Sequence, residues 1–414
     1  MTAIAVPIKY MGSKRSLARK IANRITREHS NATVLDVFSG MCAVGAQLAP
    51  RHPLFTNDVH AFAHVVADAL FVATNEMPCS RDMSRFITAF DANKRELVEA
   101  LGFSLKRERS ILENLSEPKA WRSLREFTLK QQARSAPNEI RGLESLTNYR
   151  SKPSQFPYCL ASAYFASAYF GIYQAIEIDS LRYAIDQAPE KLRSRYLSAL
   201  VQAVSHCAAA PGHFAQFLVP RNQENTLYIG RIRQRSVLTR FLSALVAFPN
   251  IDCLDRSQNR AYKSDAISLL KDNRGRFPNR DFVIYADPPY SKAQYSRYYH
   301  VLETLILYDY PMCECKGRYR EDRFHTDFSR RAGVIDAMTD FVEAAAMLKA
   351  PLYISYPQDG LLSSAGGDLR VILRRHYRTV RLVARETLKH STMGGASGKA
   401  SVGALEEVYY AGWN

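Results

Sequence analysis

Asp287-Pro288-Pro289-Tyr290 is a carboxylate, two prolines and an aromatic in immediate succession, at the end of the apolar run Val283-Ile284-Tyr285-Ala286. The prolines fix φ at two positions and remove two backbone donors, which leaves a stiff corner rich in acceptors. Such a corner suits a flat substrate that carries an amino group. The apolar run has no turn residue inside it and reads as a buried parallel strand. It delivers the four residues to the carboxyl edge of a sheet, where open α/β folds bind ligands. Two more acids end similar runs. Thr33-Val34-Leu35-Asp36-Val37-Phe38 leads into Ser39-Gly40-Met41-Cys42-Ala43-Val44-Gly45 and a helix through Leu48, while Pro53-Leu54-Phe55-Thr56-Asn57 ends in Asp58. A strand, a glycine turn and a helix, with an acid roughly 20 residues on to take ribose hydroxyls, point to an adenosine-containing cofactor. There is no Gly-Lys-Thr or Gly-Lys-Ser as in phosphate-binding loops. A nicotinamide cofactor and S-adenosylmethionine both stay open at this point.

The elements around these strings divide the chain. With 414 residues it has room for two domains or one domain with a large insertion. The α/β rhythm runs to about residue 75 and resumes near 251, where Arg260 to Asp265 reads as a strand end and Ala266 to Lys271 as a helix. Residues 76–250 between them are helical and basic, with charge-dense stretches such as Leu105-Lys106-Arg107-Glu108-Arg109 that by default are solvated helix faces. Ser162 to Tyr173 reads as one buried helix. Arg221, Arg231, Arg233, Arg235 and Arg240 crowd one region beside Tyr228, a set suited to phosphate and base-edge contacts or, residue by residue, to a solvated helix. After the opening strand, 313–329 reads as a polar loop, Ala332 to Leu348 as a helix and Pro351 to Tyr356 as a buried strand. Val380 to Leu388 with Glu407 to Tyr410 read as a terminal antiparallel pair. Lys399 lies in the glycine-rich loop between them, which reads as a cover for a ligand, a phosphate contact or a bare surface loop.

Lys and Arg number 56 against 40 Asp and Glu, a net charge of +16, which favours a polyanionic partner. Seven scattered cysteines fit reduced thiols in a cytoplasm. Cys313 and Cys315 lack a second cysteine pair nearby, so no metal site is expected. No apolar run reaches about 18 residues and no secretory signal opens the chain, so neither a membrane span nor export is expected.

Taken in order, these strings resemble an adenine-N6 DNA methyltransferase of the Dam type. Lys9-Tyr10-Met11-Gly12-Ser13-Lys14 comes first, then Asp36 to Gly45, Asp58, the long basic region, Asp265 and Asp287-Pro288-Pro289-Tyr290. The resemblance implies a Rossmann-like methyltransferase sheet, α/β and mostly parallel with an antiparallel C-terminal strand. Residues 1–75 and 251–414 would form the catalytic domain, and 76–250 an inserted helical target-recognition region. It implies S-adenosylmethionine as cofactor. Tyr10 and Lys14 would stand at its methionine end, Asp36, Phe38, Ser39 and Gly40 around it, Asp58 on the ribose, Asp265 near the adenine and Asp287 beside both reactants. Asp287, Pro288, Pro289 and Tyr290 would be catalytic, and Arg221, Arg231, Arg233, Arg235 and Lys399 would meet double-stranded DNA. The resemblance leaves room for a cognate restriction enzyme as partner. In one place the sequence departs from the family's turn: Cys42 stands where a second glycine is usual, and a side chain there is costly if the backbone has positive φ. Cytosine-N4 methylation, methylation of an RNA amino group, and a non-catalytic DNA-binding protein on the same scaffold are the competing readings.

Overall fold

A computed structural model describes residues 15–272, 275–277, 281–391 and 401–413. It contains the strands β1 (Thr33–Asp36), β2 (Leu54–Asp58), β3 (Arg260–Lys263), β4 (Phe282–Ala286), β5 (Cys313–Glu314), β6 (Tyr319–Arg320), β7 (Leu352–Pro357), β8 (Thr379–Ser391) and β9 (Ser401–Gly412). The chain divides into two compact units, one within residues 1–74, 249–294 and 324–414, the other within 75–248 and 295–323. The sequence reading put 295–323 with the catalytic part; it carries no composition shift at its start.

The first unit is built on a seven-stranded sheet of order β3-β2-β1-β4-β7-β9-β8. Neighbours from β3 to β7 are parallel, whereas β9 runs antiparallel to both β7 and β8. This is a mostly parallel, Rossmann-like α/β sheet with an antiparallel edge, as expected from the sequence. Burial on both faces explains why β4 and β7 are apolar without alternation: every residue of each is buried. Leu35, Val37, Ile284, Ala286, Leu352 and Ile354 line one face and pack with Met338, Phe341 and Val342 of the helix Val334–Met347. Each such side chain contributes roughly 1.5–3 kcal/mol on burial. The helix Arg15–Glu28 buries Leu17, Ile21 and Ile25 at the four-residue spacing read from sequence. Glu28 at its end accepts a hydrogen bond from the Tyr353 hydroxyl at 2.5 Å. Strand order reverses between β1 and β4, the position at which open α/β sheets bind their ligands.

The terminal pair is longer than the sequence suggested. β8 and β9 stay paired from Thr387–Leu405 to Ser391–Ser401, beyond the last β7 partner, Pro357–Glu406.

The second unit is helical around the buried helix Ile172–Asp186. Asp179 in that helix accepts from the backbone N–H groups of Ala161 and Ser162, at 2.6 and 2.8 Å, and from the Tyr308 hydroxyl at 2.6 Å. Two sequence expectations are corrected here. Residues 162–173 are not one helix: Leu160–Tyr164 ends, Ser167 takes φ 61°, and a new helix starts at Ile172. The left-handed turn leaves no trace in the hydrophobic pattern. Residues 313–320 are a short hairpin of β5 and β6 rather than a loop. Arg320 is buried there in a bidentate pair with Asp309 at 2.6 and 2.7 Å. No helix of the described residues is long and apolar enough to cross a membrane.

Candidate active site

Three carboxylates reach the carboxyl edge of adjacent strands. Asp36 ends β1, Asp58 ends β2, and Asp287 follows β4. Register explains their proximity: Asp36 pairs with Thr56 of β2 and with Tyr285 of β4, two residues before Asp287. Asp36 is buried, and its carboxyl is pushed well above the usual range by desolvation, then by the charges of Asp287 and Asp58. One local hydrogen bond from Gly45 opposes this without reversing it.

The turn after β1 is tied to β2. Ser39 N–H donates to the Asn57 carbonyl at 2.9 Å, and Gly40 N–H donates to Asp58 Oδ2 at 3.0 Å. His60 orients the same carboxylate from its other side, through its backbone N–H at 2.9 Å and its Nδ1 at 3.0 Å, both to Oδ1. Asn57 Nδ2 donates to the carbonyls of Val37 and Ser264, at 3.1 and 3.0 Å, and so joins the ends of β1, β2 and β3. Gly40 has φ 48° and Cys42 has φ 64°. Cys42 therefore occupies the left-handed conformation that makes glycine the easier residue at its position. Its thiol is buried, with burial raising its pKa.

The corner after β4 is also braced. Pro288 is buried, while Asp287, Pro289 and Tyr290 are half-buried. The Tyr290 carbonyl accepts from Leu361 N–H at 2.8 Å, and its ring meets Tyr356 edge-on at 6.5 Å. Downstream, Gln294 exchanges two hydrogen bonds with the backbone of Thr326, at 2.9 and 3.1 Å, and Ser329 Oγ donates to the Ala293 carbonyl at 3.1 Å. Phe38, half-buried, packs between Phe328 and Phe341 at 5.6 and 5.4 Å, so its ring is part of the core at this edge. Asp265 caps the helix Ala266–Lys271, its Oδ1 accepting from Ser268 N and Oγ at 2.9 Å each.

Thus Asp36, Phe38, Ser39, Gly40, Asp58, Asp265 and Asp287 all lie at the carboxyl edge of one unit. Sequence reasoning missed His60 and Asn57. Asn57 immediately precedes Asp58 and His60 follows it two residues on, and polar residues this close to a strand-terminal acid were the available signal. Tyr10, Lys14 and Lys399 lie outside the described residues. Arg221, Arg231 and Arg235 are exposed on the second unit. Arg233 is a correction: it is 3% exposed and its guanidinium is spent inside that unit on Glu108, Thr128 and the Ser167 carbonyl, so it has no reach to a phosphate.

The edge has room in its hydrogen bonding for a ligand that carries donor groups. Oδ1 of Asp36 and Oδ1 of Asn57 are buried acceptors with no hydrogen-bond partner among the described residues. Buried acceptors without donors are costly, and a ligand bringing hydroxyl, amino and cationic groups offsets that cost.

Comparison with known proteins accords with this geometry. Residues 10–155 match the family model of the D12 class N6 adenine-specific DNA methyltransferases. The D12 match takes in β1, β2 and the glycine turn. Among curated relatives, the type II methyltransferase M.FokI of Planomicrobium okeanokoites is 32% identical over 28% of this chain and 17% of its own length. The modification methylase LlaI of Lactococcus lactis subsp. lactis is 22% identical over 78% of this chain and 42% of its own length. The modification methylase StsI of Streptococcus sanguinis is 21% identical over 89% of this chain and 46% of its own length. The chain spans less than half the length of these relatives, and the two longer alignments take in most of it.

Proposed function

We propose that this protein transfers a methyl group from S-adenosylmethionine to N6 of an adenine in double-stranded DNA, at specific sites, in the cytoplasm. The observation that carries the reading is the convergence of Asp36, Asp58 and Asp287 at the strand-order reversal, with two prolines and a tyrosine behind the last of them. Asp58, pre-oriented by Gly40 and His60, suits ribose hydroxyls. The Asp36 side of the turn suits the cationic end of the cofactor, and Asp265 suits the rim near its adenine. When bound, S-adenosylmethionine supplies an electrophilic methyl group.

The protein's share of the chemistry follows from the amino group it must activate. The N6 lone pair is delocalised into the ring, which makes it a weak nucleophile. The Asp287 carboxylate and the Pro288 carbonyl accept its N–H bonds, turn the nitrogen towards the methyl group and stabilise the positive charge that develops there. As the new N–C bond formed, the donor's sulfur–methyl bond would break and its sulfur would leave as a neutral thioether, after which the nitrogen would release one proton to solvent. The target atom is inside a duplex, so the base must leave the stack, and Tyr290, braced by Tyr356, is the stacking surface. The names of the relatives support a place beside a restriction enzyme of the same specificity.

The test is methylation of DNA by the full chain, read as N6-methyladenine or N4-methylcytosine after digestion to nucleosides. Asp287→Ala should retain DNA binding and lose at least about 100-fold in rate. Methylation at an undiminished rate by that variant rejects the assignment of Asp287. N4-methylcytosine as the product rejects adenine as the base.

A further inference from the structure

The helix Gln223–Arg233 is held by its neighbours along most of its length. Before its start, Arg125 Nε donates to the Pro220 carbonyl at 3.2 Å and Gln132 Nε2 to the Leu218 carbonyl at 2.9 Å. Asn222 caps it by accepting from Asn225 N–H at 2.9 Å. Halfway along, Gly230 lies so close to Leu115 that an added Cβ would stand 2.6 Å from its Cδ2. At the C-terminus, Gln174 Nε2 donates to the carbonyls of Ile232 and Arg235, at 2.8 and 2.9 Å. The buried Arg233–Glu108 pair at 3.0 Å locks its inner face. Helical residues two apart point about 200° from each other, so burying Arg233 turns Arg231 outward.

The outer face is different in kind. Gln223, Glu224, Tyr228 and Arg231 are exposed, Tyr228 at 49%, and their side chains make no hydrogen bond or ion pair with any described residue. With Asn222 and Leu227 they line an open cleft of ≈ 620 Å³. Arg221 precedes the helix and Arg235 follows it, both exposed, with Arg235 NH1 donating to the His206 carbonyl at 2.7 Å. Eleven residues make a rod about 16 Å long, and the major groove of B-DNA, roughly 12 Å wide, admits one helix.

We propose that this helix is the base-reading element of the protein: it lies in the major groove of duplex DNA, with Arg231, Gln223 and Tyr228 towards base edges and Arg221 and Arg235 on phosphates. The proposal rests on the DNA methyltransferase reading and deepens it. Side-chain chemistry supports it. Arg pairs bidentately with guanine, Gln with adenine, and Glu224 accepts from cytosine, whereas arginines at the helix ends fit phosphates flanking the groove. A rigid mount for such a face keeps its donors and acceptors in register with the bases.

The experiment uses the full chain on genomic DNA, with methylated sites mapped by modification-sensitive sequencing. Wild type is compared with Arg231→Ala, Tyr228→Ala, Arg221→Ala and, as an exposed control on another helix, Arg122→Ala. Thermal melting should match wild type in all four, since each side chain is exposed. Arg231→Ala should relax the recognition sequence at one position and lower kcat/KM at the original site by about 5- to 150-fold. Arg221→Ala should weaken binding to all sequences alike and reduce the salt slope by about one. Unchanged site and rate in both Arg231→Ala and Tyr228→Ala overturn the base-reading role, as does a loss in Arg231→Ala that is equal for every sequence. Wild type that methylates no DNA overturns the functional reading itself, and this inference with it.

Discussion

Replacing Arg233 by alanine separates an arginine of the interior from those of the surface. Its NH1 is 3.0 Å from Glu108 Oε1 and 3.0 Å from Thr128 Oγ1, and its NH2 is 2.8 Å from the Ser167 carbonyl. Glu108 Oε2 in turn accepts from Ile172 N–H at 2.6 Å. Removing the guanidinium leaves a carboxylate that is 2% exposed with only backbone donors around it, and breaking one side of such a pair costs about 3–5 kcal/mol. The pH dependence identifies the cause. Burial already raises the Glu108 pKa, and Arg233 is the foremost influence opposing that rise. In the variant the folded state therefore holds a proton on Glu108 at pH values where the unfolded chain has released it. The destabilisation should be smallest in acid and should grow as pH climbs through and above the usual carboxylate range. Urea unfolding at a series of pH values measures this. Arg233→Met with Glu108→Leu should recover part of the loss, because neither buried charge remains. Wild-type stability of Arg233→Ala at neutral pH, together with a reduced salt slope for DNA binding, would refute the reasoning and return Arg233 to the DNA-contact set.

Two further outcomes follow from the carboxyl edge. Since burial and two neighbouring carboxylates raise the Asp36 pKa, a cationic cofactor should bind its ionised form and expel a proton. Affinity should therefore increase as pH rises above the usual carboxylate range; calorimetry in buffers of different ionisation enthalpy reads the proton release, and Asp36→Asn should abolish it. At Cys42, glycine relieves about 1–2 kcal/mol of left-handed strain but loosens the unfolded chain by about 0.5–1 kcal/mol and gives up a buried side chain, so Cys42→Gly should melt close to wild type. Cys42→Val adds branching and volume to the same strained, buried position and should lose about 2 kcal/mol or more in urea unfolding; equal stability of the two variants would contradict the positive φ.

The carboxylate edge was legible because each of its parts is local. A buried parallel strand writes itself as an unbroken apolar run, and the acid that ends it marks the ligand side of the sheet. Asp36, Asp58 and Asp287 could be picked out in this way without knowing which strands touch. The suspicion about Cys42 was likewise local, and its φ of 64° explains it. Arg231 and Arg233 show what local reading lacks. Both are arginines in the same basic segment, and only the phase of the helix, set by Ile229 and Gly230 packing inward, decides which is interior. The break at Ser167 and the membership of 295–323 in the second unit depend on a single backbone angle and on long-range packing. Neither alters composition or period.

The path from β2 to β3 has a consequence for how such a protein can diversify. The two strands are hydrogen-bonded neighbours, yet most of the second unit lies between them in sequence. The ends of that excursion are sewn together inside the first unit. Asn259 accepts from Leu54 N–H at 2.8 Å and donates to the Phe71 carbonyl at 2.9 Å, while Arg256 donates to the carbonyls of Leu70 and Ala73 at 2.9 and 3.2 Å. Closing a loop costs only about 0.6 kcal/mol more for each doubling of its length. The sheet is thus nearly indifferent to what is threaded through the opening, provided both seams hold. The threaded portion can therefore be lengthened, trimmed or exchanged at little cost to the sheet, and the three carboxylates at its edge keep their places.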